Sequence, residues 1–480
     1  MQDLAIALAE RKQQGLYRSR LTLEGPQDVL VWLDGREYLS FCSNDYLGLA
    51  RDPRLIAAFH EGAERFGVGS GAAHLITGHS YAHQALEEDL AEFTGRARAL
   101  LFSTGYMANL GVMAALSGSG GVVFEDRLNH ASLLDGARHA GARLVRYRHA
   151  DPSDLNKKIN RINKELRLIA TDAVFSMDGD CAPLVELAAV ARQAHAWLLV
   201  DDAHGFGVLG ESGRGWVAEK LPDAPAGAIQ MATLGKACGT FGAFVAGSDD
   251  LIETLIQRAR TYIYTTAPPP AVAWATRTAL RLVREGGALR QQLTGLVQRF
   301  RQGAAQLDLP LMPSDTPIQP LLVGDAGTAM RLSEALRKRG ILVTAIRPPT
   351  VPRGAARLRV TFSARHRSEH IDRLLDGLSS CRRELVVDSG STADAVRGCI
   401  QMFAVRAWSW YWCMAGACMA VSGRTGLLSW GSGFMSPRSI CPDMETARGP
   451  GNLNCGSGRG LCTMLCRKMP GGSVGRWVGW

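Results

Sequence analysis

The run TLGKACG at 233–239 places one lysine, Lys236, between two glycines. The chain has 46 arginines and 8 lysines, so a cation needed only for its charge is expected here to be an arginine. Arginine stays charged, whereas lysine can lose its proton and become a nucleophile. A Walker-type phosphate loop would need GxxxxGK followed by Ser or Thr; Ala237 and Cys238 follow instead, which excludes it. Three more polar groups follow apolar runs. WLLV leads into Asp201-Asp202-Ala203-His204-Gly205, RLIATDAVFS into Ser176-Met177-Asp178-Gly179-Asp180, and GVVFED into Arg127-Leu128-Asn129-His130. A carboxylate, two imidazoles, a serine and a lysine have no metal-ligand spacing, but they suit nucleophilic and acid–base chemistry. A structural ion pair between carboxylate and lysine is the plainer alternative.

Such a cluster needs a scaffold that brings it together. From about residue 97, ARALLFST, GVVFED, ARLVRY, RLIATDAVFS, WLLVDD, AIQMATL and GAFVAG read as strands, interleaved with helices such as GYMANLGVMAALS and LVELAAVARQAHA. That alternation predicts an α/β fold with a mainly parallel central sheet. Continuous apolar strands imply a sheet covered on both faces, with functional residues at the strands' carboxyl ends. After Pro268-Pro269-Pro270 the pattern becomes a long helical region, then IQPLLVG, a helix over 327–339, ILVTAIR, RLRVTFS and a helix ending near Cys381. The expected organisation is an amphipathic N-terminal helix and arm over 1–45, a large α/β domain over 46–285, and a smaller α+β domain over 286–384. NKKINRINKELR at 156–167 reads as a solvated helix face without a functional role.

Residues 385–480 are different. They hold seven of 11 cysteines and six of 10 tryptophans, and no histidine lies beyond His370. Cys413-x4-Cys418 and Cys462-x3-Cys466 match no common zinc framework, so no metal is expected. The apolar stretch 407–421 is short for a membrane span. This composition predicts a disordered tail or an appended artefact, such as a wrong reading frame. It carries nine basic and four acidic residues of a chain with net charge +9, leaving the body at +4. That is no nucleic-acid signature. The first residues lack the apolar core of a secretory signal, and the body is expected to be soluble and cytoplasmic, with no membrane partner.

A pyridoxal phosphate enzyme needs this set of groups: a lysine for a Schiff base, an acid for the pyridine nitrogen, and a phosphate site. Ser103-Thr104-Gly105-Tyr106 opens a helix after a strand, where free N–H groups and the helix dipole can hold an anion; a simple N-cap is the other reading. The motifs FCSNDYLGLA, HQALEEDLAEF, LFSTGYMAN, DRLNHASLLDG, VFSMDGDCAPL, VDDAHGFGVLGESGRG, TLGKACGTFGAF, IYTTAPPP and AIRPPTVPRGAARLRVTFSARH then carry a resemblance. The body, from about residue 15 to 382, resembles the α-oxoamine synthase family of fold-type I pyridoxal phosphate enzymes. AIRPPTVP and IQPLLVGD favour its biotin-pathway branch.

That resemblance implies condensation of L-alanine with a pimeloyl thioester, on CoA or a carrier protein, by a homodimer with shared active sites. It implies catalytic roles for Lys236, His130, Asp201 and His204: Schiff base and Cα proton, ring stacking, pyridine nitrogen, and phenolic oxygen. Ser176 would lie near that oxygen, and Thr104, Gly105, Tyr106 and Thr233 would hold the phosphate. Thr265 and Thr266 would reach the phosphate of the other subunit. Asn44 and Arg359 would grip the amino-acid carboxylate; Arg347 and Arg18, or Arg20 in its place, would meet the acyl substrate. A different pair of amino acid and acyl group, or a non-catalytic cofactor-binding protein, stays open at this point. The run Gly69-Ser70-Gly71-Ala72-Ala73-His74 departs from the family's glycine-rich pattern, and its two alanines are expected to restrict the backbone.

Overall fold

A computed structural model describes residues 3–14, 16–162, 167–223 and 227–388. The tail's cysteine spacings and its apolar stretch lie outside them. All seven expected strands join one sheet, in the order Arg98–Phe102, Ala243–Gly247, Ala228–Thr233, Trp197–Asp201, Arg167–Asp172, Val122–Asp126, Arg143–Tyr147. Four neighbouring pairs are parallel, and only Ala243–Gly247 runs antiparallel to both its neighbours. Alternation along each strand feeds two cores: Leu199 packs with Val112, Ile229 and Val245, while Leu198 and Val200 pack with Phe124, Leu187 and Val190. Both faces are thus buried, which is why the strands lack polar alternation.

Two three-stranded sheets complete the body. Ile318–Gly324 pairs with Ala356–Thr361, which pairs with Thr344–Ile346. The hairpin of Leu30–Leu33 and Arg36–Ser40 takes Ile341–Leu342 as a parallel third strand. ILVTAIR, expected as one strand, is therefore split between two sheets. The split lets residues near 40 and near 360 meet, and Thr361 N donates to Phe41 O at 2.9 Å.

Two expectations at the ends change. The first helix forms over Leu4–Gln13 but buries none of its residues, and Leu4, Ile6 and Leu8 are all exposed. Leu4 and Leu8, four residues apart, share one face of the helix while Ile6 lies away from them, and none of the three is covered. The last helix, Ser368–Asp388, runs past Cys381. Of the basic segment at 156–167, the helix Pro152–Ile159 takes the first residues, with Ile159 buried. Among the described residues no helix is long and apolar enough to cross a membrane, and no cluster of three or more His, Cys, Asp or Glu could hold a metal ion.

Candidate active site

The lysine loop connects the antiparallel strands Ala228–Thr233 and Ala243–Gly247, so it needs no crossover helix. Leu234 N donates to Gly242 O, Thr240 N to Leu234 O, and Gly239 N to Lys236 O, at 2.9, 3.0 and 2.9 Å. Gly239 has φ +67°, and a Cβ there would sit 2.4 Å from Ala50 N, so no other residue fits this turn without strain. Ala237 and Cys238 are buried, and Lys236 between Gly235 and Ala237 is half-buried.

Lys236 Nζ lies 2.9 Å from His204 Nε2, and His204 Nδ1 lies 2.6 Å from the Tyr46 hydroxyl. Tyr46 donates onward to Asn44 Oδ1 at 3.2 Å, and Arg359 Nη1 and Nη2 donate to the same oxygen at 3.3 and 3.2 Å. One hydrogen-bonded chain therefore links the amine to the expected carboxylate anchor. Its proton states agree with one another. Burial pushes His204 well below its ordinary value, helped by Lys236 and Arg359, so the ring is neutral and Nε2 can accept from the ammonium. Burial pushes Tyr46 up to about 12, so it keeps the proton it donates to Asn44.

Burial also pulls Lys236 down from 10.5 to about 8; Asp201 and Asp172 act against that shift, and Arg359 acts with it. An amine so placed is a usable nucleophile and base near neutral pH. Amine-directed acylation of the cofactor-free protein should modify Lys236 with a midpoint near pH 8. A midpoint above about 10, where an ordinary lysine titrates, would rule out this activation.

Asp201 ends the central strand Trp197–Asp201 and is 7% exposed. Its Oδ2 accepts from Asn109 Nδ2 at 2.8 Å and its Oδ1 from Ala203 N at 3.1 Å. Asn109 also donates to Ser132 Oγ, which bonds His130 Nδ1, both at 2.8 Å. His130 caps the helix Ala131–His139, its side chain accepting from Ser132 N, and the residue is exposed. Partial desolvation there lowers its pKa against the pull of Asp201. The adjacent Asp202 is turned to structural use. It accepts from Trp216 N, Val217 N and Gln230 Nε2 and holds the chain beneath the site.

The fit to pyridoxal phosphate can be tested on these residues. Thr104 caps the helix Gly105–Leu116, accepting from Met107 N at 3.2 Å, while helix geometry leaves the earlier N–H groups without partners inside the helix. Thr233 Oγ1 is buried with no hydrogen-bond partner. A Cβ on Gly105 would come within 2.7 Å of Thr233 Cγ2, so strand end and helix start form one tight cradle. An orphaned hydroxyl beside free helix N–H groups suits a phosphate. Asp201 suits a protonated ring nitrogen, and Lys236 suits the aldehyde carbon. The residues fit the group. Tyr106 can join the phosphate site only through its backbone, since its hydroxyl is held by Asp135. If the cradle holds the phosphate, Thr233→Val should weaken cofactor affinity about 10- to 100-fold, the worth of one hydrogen bond to a charged group. Equilibrium titration checks it.

Ser176 and Arg359 come together: Arg359 Nε donates to Ser176 O at 2.6 Å. Arg347 Nη2 donates to Tyr17 O at 3.2 Å, which brings Arg347 beside the exposed Arg18 on the arm. Thr265 and Thr266 stand apart from the Lys236 cluster. Thr266 bridges Ala73, and Ala267 N donates to Ala72 O at 3.0 Å, with no hydrogen bond to the cluster among the described residues. Ala73 is extended at φ −67°, and neither alanine has positive φ, so the departure from glycine costs no strain here.

Sequence reasoning missed Tyr46, Asn109 and Asp172. Asp172 is paired in register with Asp201 and is buried. Burial, then the like charge of Asp201, pushes its carboxyl well above the usual range. Its Oδ2 accepts from His130 N at 3.1 Å, so it fixes the backbone of His130.

A family model described as aminotransferase class I and II matches residues 36–378. A relative named 8-amino-7-oxononanoate synthase, from Nitrosococcus oceani, is 62% identical over 77% of this chain and 98% of its own length. Of solved structures, a serine palmitoyltransferase from S. paucimobilis with bound PLP and myriocin matches with TM-score 0.75 at 30% identity, covering 80% of this chain and 98% of that one. The 8-amino-7-oxononanoate synthase of Francisella tularensis matches with TM-score 0.63 at 31% identity, over 72% of this chain and 98% of that one. The fold is that of the fold-type I pyridoxal phosphate transferases, and the chain belongs to the class I and II aminotransferase family, within its 8-amino-7-oxononanoate synthases.

Proposed function

We propose that this chain is a pyridoxal phosphate-dependent acyltransferase that condenses L-alanine with a pimeloyl thioester, giving 8-amino-7-oxononanoate, carbon dioxide and free thiol in biotin biosynthesis. The observation that carries the reading is the 62% identity to an enzyme of that name, against 30% to a serine palmitoyltransferase. When bound, the cofactor supplies an electron sink for charge developing at the amino-acid Cα.

The chain's own residues supply the rest. Thr104, Gly105, Tyr106 and Thr233 would hold the phosphate, Asp201 would pair with the ring nitrogen, His130 would stack on the ring, and His204 and Ser176 would serve its phenolic oxygen. Arg359, with Asn44, grips the alanine carboxylate through a charge-assisted fork. Lys236 removes the Cα proton. A bond then forms from Cα to the thioester carbon, the C–S bond breaks, and the thiolate leaves and takes a proton from water. The carboxylate leaves as carbon dioxide, and Cα takes a proton back from Lys236. Arg347 and Arg18 are assigned to the acyl substrate.

We read the assembly as a homodimer in the cytoplasm. Val68, Ile76 and Tyr264 are exposed apolar side chains on the segments that carry Ala73 and Thr266, which a second copy would cover while receiving Thr265 and Thr266. The deciding experiment is thiol release by cofactor-loaded protein given L-alanine and pimeloyl-CoA. Release that requires both substrates supports the reading; release with glycine or serine but not alanine would overturn it.

A further inference from the structure

His149 lies outside every residue assigned above, yet both its ring nitrogens are bonded to carboxylates. Nδ1 is 3.0 Å from Asp126 Oδ1, and Nε2 is 2.7 Å from Asp180 Oδ2. A carboxylate accepts, so both nitrogens carry protons and the ring is an imidazolium. Its edge packs on Phe175, with centroids 4.4 Å apart at 85°. The two carboxylates push the imidazole up to about 10 against the opposing effect of burial.

The two acids belong to different parts of the site. Asp126 ends the strand Val122–Asp126 and also accepts from Leu128 N and Ala150 N, at 2.8 and 2.7 Å. Asp180 closes the loop 175–180, which is tied by Gly179 N to Phe175 O at 2.7 Å and by Phe175 N to Asp180 O at 2.9 Å. The strand Ala356–Thr361 and the segment that leads into Ile318–Gly324 grip the same loop. Ser314 Oγ and Thr316 Oγ1 donate to Gly179 O at 2.9 and 3.0 Å, Arg357 bonds the Asp178 carboxylate, and Arg359 Nε donates to Ser176 O at 2.6 Å. The loop is thus the piece against which Arg359 takes its aim. Its only charged tie to the strand Val122–Asp126 among the described residues is His149.

We propose that His149 is a positioning residue for amino-acid recognition: bonded to Asp126 and Asp180, it locks loop 175–180 to the large sheet and so fixes the Ser176 carbonyl that orients Arg359. This rests on the assignment of Arg359 to the amino-acid carboxylate. The residues assigned to the acyl substrate, Arg347 and Arg18, make no hydrogen bond to this loop among the described residues, so the two substrates should respond differently.

The test compares His149→Gln and Asp180→Asn with the wild type. Glutamine can bond one carboxylate but leaves two facing acids uncompensated; Asp180→Asn keeps the shape and the Asp126 bond, and so serves if the first variant does not fold. The expected result is a KM for L-alanine raised about tenfold in His149→Gln and less in Asp180→Asn, with the KM for pimeloyl-CoA within about twofold. Hydrogen exchange should accelerate at 175–180 and not in the helix Gly105–Leu116. KM values rising together, a fall in kcat alone, or unchanged exchange at 175–180 in both variants would each overturn the proposal. A wild type that condenses no alanine would end the substrate reading by itself, while exchange in the two variants still decides whether the clamp exists.

Discussion

Lys236→Ala is expected to lower thiol release by about 10⁴-fold or more, because one substitution removes both the nucleophile and the base that moves the Cα proton. Far-ultraviolet circular dichroism should not change, since the side chain packs into no core cluster and the loop is held by the backbone bonds around Leu234, Thr240 and Gly242. Cofactor should still bind, without covalent attachment, through Thr233 and the start of helix Gly105–Leu116. Lys236→Arg is the sharper control. It restores a cation opposite His204, but a guanidinium neither gives up its proton at working pH nor forms the covalent link. If arginine restored more than about 1% of the rate, charge alone would explain the position and the assigned chemistry would fail.

The second large effect is expected from Asp201→Asn. Asparagine has one amide oxygen for the two donors that Asp201 accepts on separate oxygens, Asn109 Nδ2 and Ala203 N, so it keeps one of these bonds. The strand is held by its backbone pairing on both sides, and the fold should hold while the charge is lost. Removing one partner of a buried ion pair costs about 3–5 kcal/mol; expressed in the transition state, that is a fall in kcat of about 10²- to 10⁴-fold. Asp172 offers a second readout. With Asp201 neutral, the like charge that helps hold its carboxyl up is gone, so Asp172 should ionise at lower pH, as infrared titration of carboxyl stretching can follow. A variant within about tenfold of wild-type kcat would show that Asp201 does not face the ring nitrogen.

The central sheet was legible because each strand is buried on both faces and so reads as an unbroken apolar run. The chemical residues sit where those runs end, and Lys236, Asp201, His204 and His130 could be found from that fact. Asn109 and Asp172 could not. Asn109 is an amide on a helix whose one informative contact is across to Asp201, and Asp172 gains its meaning from the register that sets it opposite Asp201. Tyr46 had a usable signal, since it lies two residues after Asn44 in FCSNDYLGLA, but only the fold puts it on His204. The N-terminal helix failed in the other direction. Its apolar residues were visible, and Leu4 and Leu8 share a face, yet both stay exposed; spacing alone does not say whether a face is covered. The division of ILVTAIR between two sheets has no local cause, because both halves are equally strand-like; the partners they meet decide it.

The bonds from Asn44 to Arg359 join positions 315 residues apart, and this long closure gives the site an order of assembly. The residues proposed to cradle the cofactor within one subunit, from Thr104 to Lys236, are all synthesised more than 100 residues before Arg359. The amino-acid anchor exists only after the strand Ala356–Thr361 has emerged and folded back on the hairpin near the start. On these assignments a nascent chain acquires its half of the cofactor cradle before it can hold the amino acid.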